Sequence, residues 1–178
     1  MNIYNCTLKM LEEYFKSFGE NSAKGKIVFK EVYKNNISSF GEIESLSESI
    51  KKKLENDFSF ETIKLIKKSE STDTCKYLFA LSDGNTIETV LMKHDYGNGV
   101  CISTQVGCNM DCVFCESGKL KKVRNLETCE MVAQVLYVSD TLGIPVSHLV
   151  LMGIKLLFHH LQSQYDPQKN EGYTNRYS

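Results

Sequence analysis

Apolar residues in the first third of the chain recur every three or four positions. Leu11, Tyr14, Phe15 and Phe18 share one helical face before Gly19, and Ile27, Val28, Val32 and Tyr33 repeat the spacing. Residues 6–56 therefore read as helices. The last of these, over 48–57, follows a serine, sets Ile50 and Leu54 four apart and is otherwise rich in lysine, which predicts a short amphipathic helix with a solvated lysine face. From Phe60 the period changes. Runs at 76–81 and 86–92 are rich in aromatic and β-branched residues and flank Ser82-Asp83-Gly84-Asn85, the pattern of a hairpin with a loop of about four residues. Residues 94–99 read as a linker. Beyond them Val100, Ile102, Thr104 and Val106 alternate with Cys101, Ser103 and Gln105, so a strand over 100–106 has one apolar face and a polar face that carries Cys101. Helical spacing returns over 127–142, with Met131, Val132, Val135, Leu136 and Leu142, and Gly143 and Pro145 end it. Residues 146–152 then read as a buried strand.

Strand, cysteine loop, helix, strand is the order of a βαβ unit, which implies parallel strands and an α/β layer or barrel. Composition sets limits without deciding the function. With 178 residues, 42% of them hydrophobic, the chain can form one sizeable core or two small ones. A formal charge of -1 gives no whole-protein attraction to nucleic acid or membrane, so such a contact needs a local patch. No apolar run approaches the roughly 20 residues that cross a bilayer, and the first residues lack the basic-then-apolar layout of a signal peptide. A cytoplasmic protein with no membrane partner is expected. Seven cysteines is an odd number, and three lie within residues 108–115, which suits metal ligation in a reducing compartment better than a disulfide framework.

Cys108, Cys112 and Cys115 offer three soft thiolates in a loop directly after a strand. That is one ligand fewer than a closed four-cysteine zinc or iron-sulfur site requires. A [4Fe-4S] cube held this way keeps one iron open to a further ligand. A zinc site completed by a distant Cys or His, or three unrelated core cysteines, are the other readings. Lys119, Lys121, Lys122 and Arg124 form a basic cluster beside the site, fit either for RNA phosphates or for a solvated turn. Lys26, Lys30 and Lys34 lie four apart on one predicted helix face. The adjacent His159 and His160 face different ways on a helix or a strand, which makes them a poor chelate.

The run from Cys101 to Cys115, preceded by Ile87-Glu-Thr-Val-Leu-Met92 and followed by Arg124-Asn-Leu126 and Gln134-Val-Leu136, resembles the radical S-adenosylmethionine rRNA adenine methyltransferase family of RlmN and Cfr. The likeness runs from about residue 10 to residue 154. It implies a [4Fe-4S] cluster on Cys108, Cys112 and Cys115 whose open iron binds the amino and carboxylate groups of S-adenosylmethionine. It further implies reductive cleavage to a 5'-deoxyadenosyl radical and methylation of an adenine in large-subunit (23S) rRNA, at carbon 2 for the RlmN type and carbon 8 for the Cfr type. Cys101 matches the family cysteine that takes a proton from the adenine adduct and helps resolve the protein-RNA crosslink. Phe114, between two of the ligands, either lies near the bound adenine moiety or shields the cluster from water, and Met152 and Gly153 match the family and are assigned to S-adenosylmethionine binding. The other partners implied are tRNA as a further substrate and a flavodoxin- or ferredoxin-type reductant, with the protein a monomer. Cys6, Cys75 and Cys129 match no family motif and are assigned to packing or exposure.

The expected organisation is therefore a helical, RNA-associated accessory module over 1–58, a β-hairpin and linker over 59–97, the start of a radical S-adenosylmethionine core with its cluster loop over 98–154, and a non-family tail over 155–178. The fold class is α/β: helices and a hairpin, then the first βαβ portion of an incomplete (β/α) partial barrel. After Ile154 the family continues with Gly-Glu-Pro, which grips the amino group of S-adenosylmethionine, whereas this sequence reads Lys155-Leu-Leu-Phe-His-His160. No cysteine follows Cys129, so the family's C-terminal methyl carrier has no counterpart. A frameshift or deletion after residue 154, low stability and an inactive enzyme are expected. The competing function is a non-catalytic module that binds RNA or a partner, with the cysteine site vestigial or occupied by zinc.

Overall fold

The computed structural model describes residues 1–108, 121–143 and 146–152. The tail over 155–178, with His159 and His160, lies outside them. So do Cys112, Phe114, Cys115, Lys119 and Gly153.

Three helices open the chain. Helix α1 (Leu8–Ser17) starts where the Thr7 hydroxyl accepts the Met10 amide at 3.3 Å, and it buries Leu11 and Phe15. Helix α2 (Ala23–Tyr33) buries Gly25, Val28 and Val32 against it. Gly25 is there because the helices nearly touch: a Cβ at this position would lie 2.7 Å from the Glu12 amide nitrogen and 2.8 Å from the Leu11 carbonyl carbon. Helix α3 (Glu48–Asp57) buries Ile50 and Leu54 as expected. The lysine face is only partly solvated, since Lys51 is buried and pairs with Glu48 at 2.9 Å while Lys52 and Lys53 are exposed. These helices share one apolar core built on Ile3, Phe15, Phe40 and Leu54. The module is also closed backbone to backbone. Ile3 N–H donates to Ser59 O, Ser59 N–H donates to Met1 O, and the Met1 ammonium donates to Asp57 O, all at 2.9–3.0 Å.

A five-stranded sheet follows, in which four strands consecutive in the chain lie side by side and a later one joins them at one edge. Strands β1 (Ile63–Glu70), β2 (Thr74–Leu81), β3 (Thr86–His94) and β4 (Gly97–Ser103) form an antiparallel meander. Helix α4 (Thr128–Leu142) then crosses over, and β7 (His148–Met152) pairs with β4 in parallel, which is the predicted βαβ unit. Gly143 ends α4 in the left-handed region at φ 64°, as its sequence position suggests. One sheet face carries Tyr77, Phe79, Leu91, Val100 and Ile102 and packs under Val138 of α4, forming a second core. The helical module meets this half through Asn5, whose side-chain oxygen accepts the Cys129 amide at 2.8 Å on the first turn of α4.

Two expectations change, and one strand was not expected. Residues 94–99 are no linker: β3 runs to His94 and β4 starts at Gly97, so the hairpin and the βαβ unit share one sheet. Strand β1 escapes the sequence pattern because it is an edge strand, lysine-rich and mostly exposed, with its register slipping between Leu65 and Lys67. Strand β7 is not buried, with Leu149 47% and Val150 44% exposed. Its apolar run suits a covered strand, but among the described residues it is hydrogen-bonded on one side only, at the sheet edge.

Candidate cysteine-loop site

Cys101 sits in β4 on the face turned away from α4. The register places it in a row with Lys76, Val90 and Val150 on the neighbouring strands. It is half-buried between two valines, and that burial pushes its thiol above the ordinary value, so it stays protonated at neutral pH.

The sheet lets go of the chain just beyond Cys101. Strand β4 ends at Ser103, and the buried Thr104 donates both its amide and its hydroxyl to the Met152 carbonyl at the end of β7. The two residues of β5 (Gln105–Val106) then pair with β6 (Arg124–Asn125). Between them comes Gly107 at φ 72°, where a Cβ would collide with the Lys121 carbonyl. Cys108 is therefore carried on a tight turn whose exit is tied back to its entrance: Val123 N–H donates to Val106 O and Leu126 N–H to Thr104 O, each at 2.9 Å. Cys108 and Lys121 bracket residues 109–120 in the sequence, and the backbone on either side of that stretch is held together. Cys112 and Cys115 fall between those two positions in the sequence and lie outside the described residues, and among the described residues no three His, Cys, Asp or Glu side chains converge. Cys108 on this tied turn, with Cys112 and Cys115 following it in the sequence, fits the donor set of an iron-sulfur cube with one open iron. Met152, at the same end of the sheet, is half-buried.

Arg124 fits neither of the two readings of the basic cluster, since it is engaged within the protein. Its guanidinium makes a bidentate pair with the buried Glu130 at 2.8 Å for each contact, and its Nε reaches Asp83 in the β2–β3 loop at 2.6 Å. A fork already filled by two carboxylates has no free edge for RNA. Lys121 is exposed and Lys122 half-buried. Lys26, Lys30 and Lys34 are all exposed, with Lys26 3.9 Å from Glu12. Cys6, Cys75 and Cys129 are packed inside, at 3%, 1% and 4% exposure.

The Arg124 network titrates in a definite direction. Burial raises the Glu130 carboxyl, but hydrogen bonds from Arg124 and from the Glu127 amide outweigh it and hold the group below its usual value. Hydrogen bonds from Arg124 and Asn85 hold Asp83 well below the carboxylate range. Folded values that are depressed give stability that is present above the ordinary carboxylate range near pH 4 and is lost as pH falls through the folded values. Arg124→Met is expected to cost about 2–3 kcal/mol at pH 7 by stranding the buried Glu130. On acidification below about pH 5 the gap to wild type should narrow as the stranded carboxyl protonates. A gap in denaturation midpoint that stays constant from pH 7 to pH 3 would contradict this.

Sequence reasoning missed Gln134 and Thr89 as contributors to the site. A glutamine inside the apolar stripe formed by Met131, Val135 and Val138 was the available signal.

An antiparallel meander that turns parallel through one helix, with a cysteine loop at the carboxyl end of the first parallel strand, is the opening of a radical S-adenosylmethionine (β/α) barrel. Comparison with known proteins agrees. Residues 1–59 match the family described as Ribosomal RNA large subunit methyltransferase N-terminal domain. The chain is 43% identical over 159 residues to the probable dual-specificity RNA methyltransferase RlmN of Enterococcus faecalis, which covers 86% of this chain and 44% of that protein. With the protein of the same name from Spiroplasma citri it shares 49% identity over 131 residues, 71% of this chain and 38% of the relative. A crystal structure of a radical SAM methyltransferase from Sphaerobacter thermophilus superposes with a TM-score of 0.78 at 26% identity, covering 97% of this chain and 53% of that one. The chain belongs to the RlmN family of radical S-adenosylmethionine methyltransferases. It spans about half the length of the curated relatives it matches.

Proposed function

We propose that this chain carries the cluster-binding and RNA-associated portion of a radical S-adenosylmethionine RNA adenine methyltransferase. The observation that carries the reading is the closed turn after β5, which presents Cys108 at the base of a loop containing Cys112 and Cys115, seven residues beyond a half-buried cysteine on the open sheet face. Cys108, Cys112 and Cys115 would hold a [4Fe-4S] cluster, and Phe114, Met152 and Gly153 would flank S-adenosylmethionine. When bound and reduced, such a cluster supplies the electron for cleaving S-adenosylmethionine. Cys101 would exchange a proton with the adenine at its Sγ. Its raised thiol value means that this role requires the group to be deprotonated once RNA is bound. The helical module over 1–58, with its exposed Lys26, Lys30 and Lys34, would meet RNA phosphates.

Anaerobic reconstitution of the 178-residue chain tests the reading. About four irons and four sulfides per chain are expected, with an electron paramagnetic resonance spectrum of the reduced cluster that changes when S-adenosylmethionine is added. Stoichiometric zinc, with no iron-sulfur charge-transfer absorbance, would overturn it.

A further inference from the structure

Gln134 of α4 is wholly buried, yet it is polar and sits in the apolar stripe of its helix. All its hydrogen-bonding capacity is used. Its Oε1 accepts from the Thr89 hydroxyl at 2.7 Å and from the Ser103 amide at 2.9 Å, while its Nε2 donates to Ser103 O at 3.1 Å and to Glu130 O at 3.0 Å. A carboxamide has a peptide's donor and acceptor side by side, so it can stand in for a strand neighbour.

That substitution occurs where a ladder stops. The β3–β4 register runs from His94↔Gly97 to Thr89↔Ile102, and the next pair would be Glu88 with Ser103. It does not form. The Ser103 backbone turns both its groups to Gln134, and the Glu88 carbonyl is satisfied by the Ser103 hydroxyl at 2.7 Å instead. On its other side Ser103 still pairs with Met152. One edge of the strand is thus released from its neighbour while the other stays attached, two residues after Cys101 and five before Cys108. An apolar residue in place of Gln134 would fill the volume but would leave the half-buried Ser103 N–H and C=O without their partners.

We propose that Gln134 is a positioning residue: its carboxamide replaces β3 at Ser103 and sets where the chain leaves the sheet between Cys101 and Cys108. The proposal rests on the reading of those cysteines given above. Thr89 orients the amide by donating to Oε1, which fixes the oxygen toward the Ser103 amide and the nitrogen toward its carbonyl.

Gln134→Met keeps the side-chain length and removes all four hydrogen bonds, whereas Thr89→Val removes only the orienting hydroxyl. Hydrogen exchange on the cluster-free chain is the first measurement. Gln134→Met should speed exchange in peptides covering 100–108 by about tenfold and leave 74–92 unchanged, and Thr89→Val should produce a smaller rise in the same segment. Should Gln134→Met unfold the whole chain, Thr89→Val carries the test by the same criterion. Equal acceleration of both segments by Thr89→Val, or acceleration of neither by either variant, overturns the proposal. This readout needs no cluster, so a failed reconstitution sinks the cysteine assignment without touching it. On reconstituted chain, Gln134→Met should shift the g values of the reduced cluster at undiminished iron content; unchanged g values would overturn the link to Cys108.

Discussion

Cys108→Ala, Cys112→Ala and Cys115→Ala are each expected to lower the iron bound after reconstitution from about four per chain to near zero, while Cys101→Ala keeps it. The contrast follows from where the chain leaves the sheet. Cys101 is inside β4, fixed between Val90 and Val150 by ladders on both sides, and the bend at Thr104, the β5–β6 pair and the Gly107 turn all separate it from Cys108. A cube bound by three thiolates has no spare protein ligand, so loss of one leaves two anchors and an iron exposed to hydrolysis. Iron that collapses in Cys101→Ala and survives in Cys115→Ala would reverse the assignment. Measuring sulfide alongside iron separates a cube from adventitious metal.

Gly25→Val is expected to destabilise the helical module by about 3 kcal/mol, through overpacking that no rotamer relieves. The collision would be with backbone rather than with flexible side chains: the Glu12 amide nitrogen at 2.7 Å, the Leu11 carbonyl carbon at 2.8 Å and the Glu12 Cα at 3.0 Å. Helices α1 and α2 would have to separate, and Phe15 and Val28, both fully buried, would lose their packing. Hydrogen exchange should therefore rise in peptides covering 8–33 well before those in 74–92, because the two cores are separate. An unfolding free energy for the module within about 0.5 kcal/mol of wild type, the usual span of surface changes, would refute the close approach.

The sequence displayed some of these features and hid others for physical reasons. The bounds of α3 and the C-terminus of α4 were legible because Ile50 and Leu54 mark one stripe and Gly143 can adopt the left-handed turn. The hairpin loop 82–85 was legible from its turn residues. Strand β1 was not, since lysines at an exposed edge erase the alternation that a half-buried strand shows. The run 94–99 misled because Gly97, Asn98 and Gly99 look like a spacer although they are strand residues paired with His94, Lys93 and Met92. Arg124 reads as a phosphate ligand next to lysines, and only the fold brings Asp83, 41 positions away, to its guanidinium. The site's three thiolates stood out by spacing alone, but the device that releases Ser103 joins residues from three separate elements and has no local signature.

The closed backbone of the helical module bears on the order in which the chain acquires structure during synthesis. Its first and last residues hydrogen-bond to each other, so the residues of its core are present once the chain has been made to Phe60. Pairing β4 with β7 must wait for Met152, which the Thr104 hydroxyl meets 48 positions along the chain. That pairing therefore comes later from the ribosome than closure of the module. An already folded module would then present the Asn5 oxygen to the nascent first turn of α4 at Cys129, so that the crossover helix is captured on a finished surface before the parallel strand arrives.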